Sequence, residues 1–148
     1  IEEPGRLVDF IASSLPSPGN PPDSVAVNLT FEDGSIGTIT YIAEGDKAFG
    51  KERVEVFGGG RVAVLDDFRT LELVKGGHRA TSKSALRQDK GHVAEWQAFG
   101  KAIREGSHSP IPMHEIFVGV QATIAITESL RTGAPVALDH NFFAASAT

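Results

Sequence analysis

The sequence has no cysteine among its 148 residues. That excludes a disulfide framework and a thiolate metal site, and makes a reducing, cytoplasmic setting the natural expectation. It has no excess of basic charge either: 14 Lys and Arg stand against 19 Asp and Glu, for a formal net charge of -5. A nucleic-acid backbone is therefore not an expected partner. No apolar run reaches the roughly 18–20 residues a membrane helix needs, since Thr123, Thr127 and Glu128 interrupt the longest one. The opening Ile1-Glu2-Glu3-Pro4 has no signal-peptide pattern and reads like the start of a fragment. Also lacking are a Gly-x-Ser-x-Gly nucleophile elbow and a strand, glycine loop and helix N-terminus in the order that cradles a pyrophosphate. Acyl transfer and unaided dinucleotide binding have no support.

What is present is a chain 41% hydrophobic, long enough for one domain with a core and short for two. Residues 1–148 are expected to form a single domain. The first two thirds alternate apolar and polar residues with the period of half-buried strands. Val25, Val27, Leu29 and Phe31 point one way, and Asp33-Gly34 marks a tight turn into a partner strand at 36–42. Val54 and Val56, then Gly58-Gly59-Gly60, then Val62 and Val64 signal a second hairpin. A short strand over 71–74, ended by Gly76-Gly77, and an N-terminal strand over 7–12 complete the expected sheet. The four prolines within 15–23 mark a surface connector, and the tail 141–148 has no periodicity.

After Gly91 the period changes. Val93, Trp96, Phe99 or Gly100, and Ile103 share one helical face, and Gly106 ends the helix. A second helix is expected from Pro112 to Gly133, burying Ile116, Val120, Ile124 and Thr127.

Candidate chemistry is sparse. His78, His92, His108, His114 and His140 are scattered. Only His92 and Glu95 have helical spacing, and two ligands do not make a metal site, so no metal is expected. Asp66-Asp67 at a strand end suits a turn, and Asn28-Leu29-Thr30 matches a glycosylation sequon only by coincidence, mid-strand. The charged segment 44–52 is longer than a hairpin needs. Its Lys47 and Lys51 are the candidate substrate contacts, able to meet hydroxyls or an anionic group, with a solvated loop as the competing account.

From Val25 to Leu138 the order of features resembles the C-terminal domain of the glucose-fructose oxidoreductase and inositol dehydrogenase (Gfo/Idh/MocA) family. The resemblance is carried by the strand pair around Asp33-Gly34-Ser35 and by Arg61-Val62-Ala63-Val64-Leu65-Asp66-Asp67. His92-x-x-Glu95 opening a helix, Pro110-Ile111-Pro112, and a helix ending Glu128-Ser129-Leu130-Arg131-Thr132-Gly133 complete it. The resemblance implies an α+β fold, glyceraldehyde-3-phosphate-dehydrogenase-like: a mainly antiparallel or mixed open sheet with two long helices on one face. It implies a preceding Rossmann domain that binds NAD or NADP, hydride transfer with a sugar or polyol substrate, and a homodimer formed through the open sheet. The set Ala26, Thr38, Thr40, Ala63, Leu65 and Val74 suits such a face. The family's lysine-proline motif and its downstream histidine and aspartate are not identifiable, so no catalytic or cofactor-binding residue is assigned and the fragment alone is expected to be inactive. The alternative is a noncatalytic dimerisation or interaction module.

Overall fold

The computed structural model describes residues 6–14, 23–84 and 88–138; the tail and all of the proline-rich connector except Asp23 lie outside them. In chain order the elements are β1 (Leu7–Ser14), β2 (Val25–Phe31), β3 (Ile36–Tyr41), β4 (Arg53–Gly58), β5 (Arg61–Asp66), β6 (Thr70–Lys75), β7 (His78–Lys83), α1 (His92–Glu105), α2 (Met113–Thr132) and β8 (Val136–Ala137). The strands form two four-stranded sheets, ordered β3-β2-β1-β8 and β4-β5-β6-β7, with every pairing antiparallel. The described residues divide into two compact units: those up to Glu44 together with those from Ile111 onward, and those from Gly45 to Pro110.

In the first unit, alternation along β1 and β2 sends Phe10, Ala12 and Val27 to one face, where they are buried. The helix α2 covers that face with Ala122, Ala125, Ile126 and Leu130. This corrects the expected stripe, since Ile116, Val120 and Ile124 are exposed. The helix is apolar nearly all round, so its period could not select a face. The side with small residues at 122, 125 and 129 approaches the sheet most closely.

That approach makes Ser129 a clasp. Its side chain is fully buried, its Oγ accepts from the Ala12 N–H at 2.9 Å and donates to the Ala134 carbonyl at 2.8 Å. Ser129→Ala leaves a buried strand N–H and a carbonyl unpaired, and should cost about 2–3 kcal/mol of unfolding free energy. Urea denaturation checks this, and a loss below about 0.5 kcal/mol would show that both groups find other partners. Beside it, Arg131 donates to the Glu128 carboxylate from Nε at 2.9 Å. That hydrogen bond, with the attraction of the guanidinium, holds the Glu128 carboxyl below its ordinary pKa. The helix ends where Gly133 takes a left-handed φ of 67° and its N–H meets the Ser129 carbonyl.

In the second unit the hairpins β4–β5 and β6–β7 turn on Gly59-Gly60 (φ 53° and 70°) and Gly76-Gly77 (φ 57° and 75°), the positive values that two-residue hairpin loops require. The strand β7 was not expected, because His78-Arg79-Ala80-Thr81-Ser82-Lys83 carries almost no apolar alternation. Cross-strand register brings Val54, Leu65, Leu71 and Ser82 into one row, and Val56, Ala63, Leu73 and Ala80 into the next. Both rows lie on the same face, which is apolar and open: Val56 is 58% and Leu73 47% exposed. Val74 stands opposite Val62, on the other side from Ala63 and Leu65, and so drops out of the expected set. Adjacent apolar residues at 73 and 74 had left that register ambiguous. Ala26 and Thr40 do pair directly, with Thr38 two residues along the same face of the first sheet.

The helix α1 starts after Gly91 and stops at Gly106, both left-handed, as the glycine punctuation predicts. Its apolar stripe is not covered: Trp96 is 71% exposed, and Val93, Phe99 and Ile103 are exposed with it. The Trp96 and Phe99 rings meet edge to face, 6.4 Å between centroids. No described helix is long and apolar enough to cross a membrane.

Candidate functional site

Three stretches of the second unit converge on a cavity of about 670 Å³: the loop 47–51 leading into β4, the turn joining β5 to β6, and residues Gln88 and Lys90 ahead of α1. The turn is the unusual part. Arg69 N–H closes it onto the Asp66 carbonyl at 2.9 Å, while Asp67 and Phe68 both take positive φ, 47° and 52°. Aspartate tolerates this region, but a phenylalanine there costs on the order of 1 kcal/mol and persists only where its surroundings hold it.

The surroundings do so mainly through Asp67. Its N–H donates to the Glu52 carbonyl at 2.7 Å, and its Oδ1 accepts from the Lys51 N–H at 3.3 Å. Gln88 Nε2 donates to both the carbonyl and Oδ1 of Asp67 at 2.9 Å. Arg69 Nε lies 3.2 Å from Oδ2. A β-carbon on Gly50 would stand 3.2 Å from Cβ of Asp67, so the loop lies flush against the turn because position 50 is glycine. Lys90 sits 5.8 Å over the Phe68 ring and pairs with Glu52, whose Oε2 is enclosed without a hydrogen-bond partner among the described residues. Asp67→Ala removes all three side-chain acceptor contacts and should cost about 1–2 kcal/mol. It should also shift the Lys51 amide resonance; an unchanged Lys51 signal would count against the hub.

The charges sort into pairs. Asp67 has Arg69, Glu52 has Lys90, and Arg53 lies between Glu55 at 2.6 Å and Asp66 at 3.8 Å. Lys47 and Lys51 also line the cavity and make no ion pair among the described residues. The backbone carrying Lys47 is set by Asp46, whose Oδ1 accepts from the Ala48 N–H at 2.8 Å and whose carbonyl accepts from Phe49 N–H at 3.1 Å. Both candidate lysines of the sequence therefore share one cavity, on a loop whose backbone is pinned at two points.

Sequence reasoning missed Gln88, Lys90 and the bracing role of Asp67. Asp66-Asp67 signalled the turn, but no motif places residue 88 against it. None of the described histidines lines the cavity. His92 Nδ1 and Glu95 lie 3.9 Å apart on exposed side chains, and no group of three or more His, Asp or Glu among the described residues could hold a metal.

No protein-family model matches the sequence, and no curated protein matches it. Solved structures do match in fold. The aldose-aldose oxidoreductase from Caulobacter crescentus superposes with a TM-score of 0.74 at 17% identity, over 90% of this chain and 42% of that one. A levoglucosan dehydrogenase in complex with NADH and levoglucosan gives 0.73 at 18% identity, over 90% and 45%. UDP-N-acetylglucosamine 3-dehydrogenase from Acidithiobacillus ferrooxidans gives 0.70 at 17%, over 85% and 41%. The chain thus spans less than half the length of these proteins. It has the α+β fold of the C-terminal, glyceraldehyde-3-phosphate-dehydrogenase-like domain of oxidoreductases of the glucose-fructose oxidoreductase and inositol dehydrogenase type.

Proposed function

We propose that residues 1–148 are the C-terminal domain of an NAD(P)-dependent oxidoreductase acting on a sugar or polyol-type substrate. In this reading the β4–β7 sheet face pairs with a second copy, and the loop 47–51 forms part of the substrate wall, with Lys47 and Lys51 as contacts. The observation that carries it is the fold match over about nine tenths of the chain to enzymes that act on sugars. The cofactor would sit in a preceding Rossmann domain, since this chain has no glycine loop between a strand and a helix to hold a pyrophosphate. Hydride would pass between the substrate carbon and the nicotinamide, with this domain orienting the substrate. The fragment alone is inert in this reading, and its setting is cytoplasmic.

Reading the coding sequence upstream of Ile1 tests the enzymatic half. A glycine fingerprint and a lysine-proline motif are expected there, and a start codon beside Ile1 would overturn it. Light scattering across a concentration series tests the assembly half: a dimer is expected, and a monomer at all concentrations would remove it. A noncatalytic dimerisation module is the second reading, favoured by the exposed apolar rows of the β4–β7 sheet, where Val56 is 58% and Leu73 47% exposed.

A further inference from the structure

The cavity of the second unit is lined by five basic and three acidic side chains, in a chain whose formal net charge is -5. Glu52 faces Lys90 and Asp67 faces Arg69, while Arg53 is shared between Glu55 at 2.6 Å and Asp66 at 3.8 Å. Lys47 and Lys51 are the lining cations that make no ion pair among the described residues. Both are exposed and line the cavity, so each can offer a solvated ammonium group to an anion that enters it. Their backbone is held before any ligand arrives, Lys51 through its N–H on Asp67 Oδ1 and Lys47 through the turn at Asp46, so binding would order only the side chains.

We propose that this cavity takes a polyhydroxylated anion, a sugar acid or a sugar phosphate. Lys47 and Lys51 clasp the carboxylate or phosphate, and the polar wall formed by Thr70 and Gln88 faces the hydroxyls. The inference rests on the substrate-wall reading for its sugar part. Its anionic part rests on the cavity alone. Asp67 is a positioning residue: it touches no ligand and fixes the Lys51 backbone.

The test is an amide-resonance titration of this chain with three probes, D-gluconate, D-glucose 6-phosphate and neutral D-glucose. At least one charged sugar should shift Ala48, Lys51 and Asp67 saturably and bind about tenfold or more tighter than glucose, as charge-assisted contacts predict. Whichever of the two binds more tightly identifies the anionic group. The double variant Lys47→Ala/Lys51→Ala should lose that preference, while Lys101→Ala on α1 should keep it. Added salt should weaken the charged probe selectively. Glucose binding as tightly as both charged sugars would overturn the anionic assignment and leave the substrate-wall reading standing. No saturable shift with any probe would overturn both, and retention of the preference in the double variant would overturn the role of the two lysines.

Discussion

Phe10→Ala should lower the unfolding free energy by about 3–5 kcal/mol, a large share of the 5–15 kcal/mol typical of a folded domain. Phe10 is 1% exposed and pairs across the sheet with Leu29 on one side and Val136 on the other. Among the described residues the buried cluster around it comprises Ala12 and Val27, with Leu130, Ile126 and their neighbours on α2 closing over it. Truncation removes the largest side chain from a core too small to refill the space, so transfer and cavity costs add. Val8→Ala, at a partly exposed site on the same strand, should cost less than about 1 kcal/mol. Urea denaturation of both variants gives the comparison. Equal losses would mean that α2 does not cover this face in solution.

If the β4–β7 face pairs with a second copy as proposed, Leu73→Lys should raise the dissociation constant of that dimer by about a hundredfold, the effect of about 3 kcal/mol from an unpaired charge buried in an apolar interface. Leu73 lies across from Ala63 and Ala80, on a face that also carries Val54, Val56, Leu65 and Leu71 and, in its next row, Arg61, Lys75 and His78. A two-fold interface presents the same patch twice, so one substitution places two like charges in it. Thr81→Lys adds the same charge to the opposite face, beside Glu72, and should leave the solution mass unchanged. Light scattering on the pair separates a specific interface from a general effect of charge. A wild-type monomer, or equal weakening by both variants, would remove this face from the assembly.

Much of the fold was legible because period and punctuation agreed. Val25, Val27, Leu29 and Phe31 alternate without exception, and Asp33-Gly34 follows them, so β2 runs over the expected residues. Both limits of α1 and the C-terminal limit of α2 adjoin glycines, and α2 begins just after Pro112. Where the pattern was silent, β7 was missed, although Gly76-Gly77 is itself the signal of a two-residue hairpin. Where the pattern was saturated, as along α2, the wrong face was chosen. The candidate site was half legible: a charged loop of surplus length drew attention to Lys47 and Lys51. Gln88 lies 21 residues from Asp67 in sequence, and no local pattern encodes a hydrogen bond across that separation.

By itself the sequence determined which segments are strands and helices, where they stop, and that no cysteine chemistry is available. These follow from side-chain period and from the backbone freedom of glycine, both local properties. Only the tertiary structure decided which face of α2 is buried, that Ser129 clasps β1, and that Lys47 and Lys51 line one cavity without an ion pair among the described residues. Those outcomes depend on close approach between residues far apart in the chain, where size and hydrogen-bond geometry rather than period select the contact.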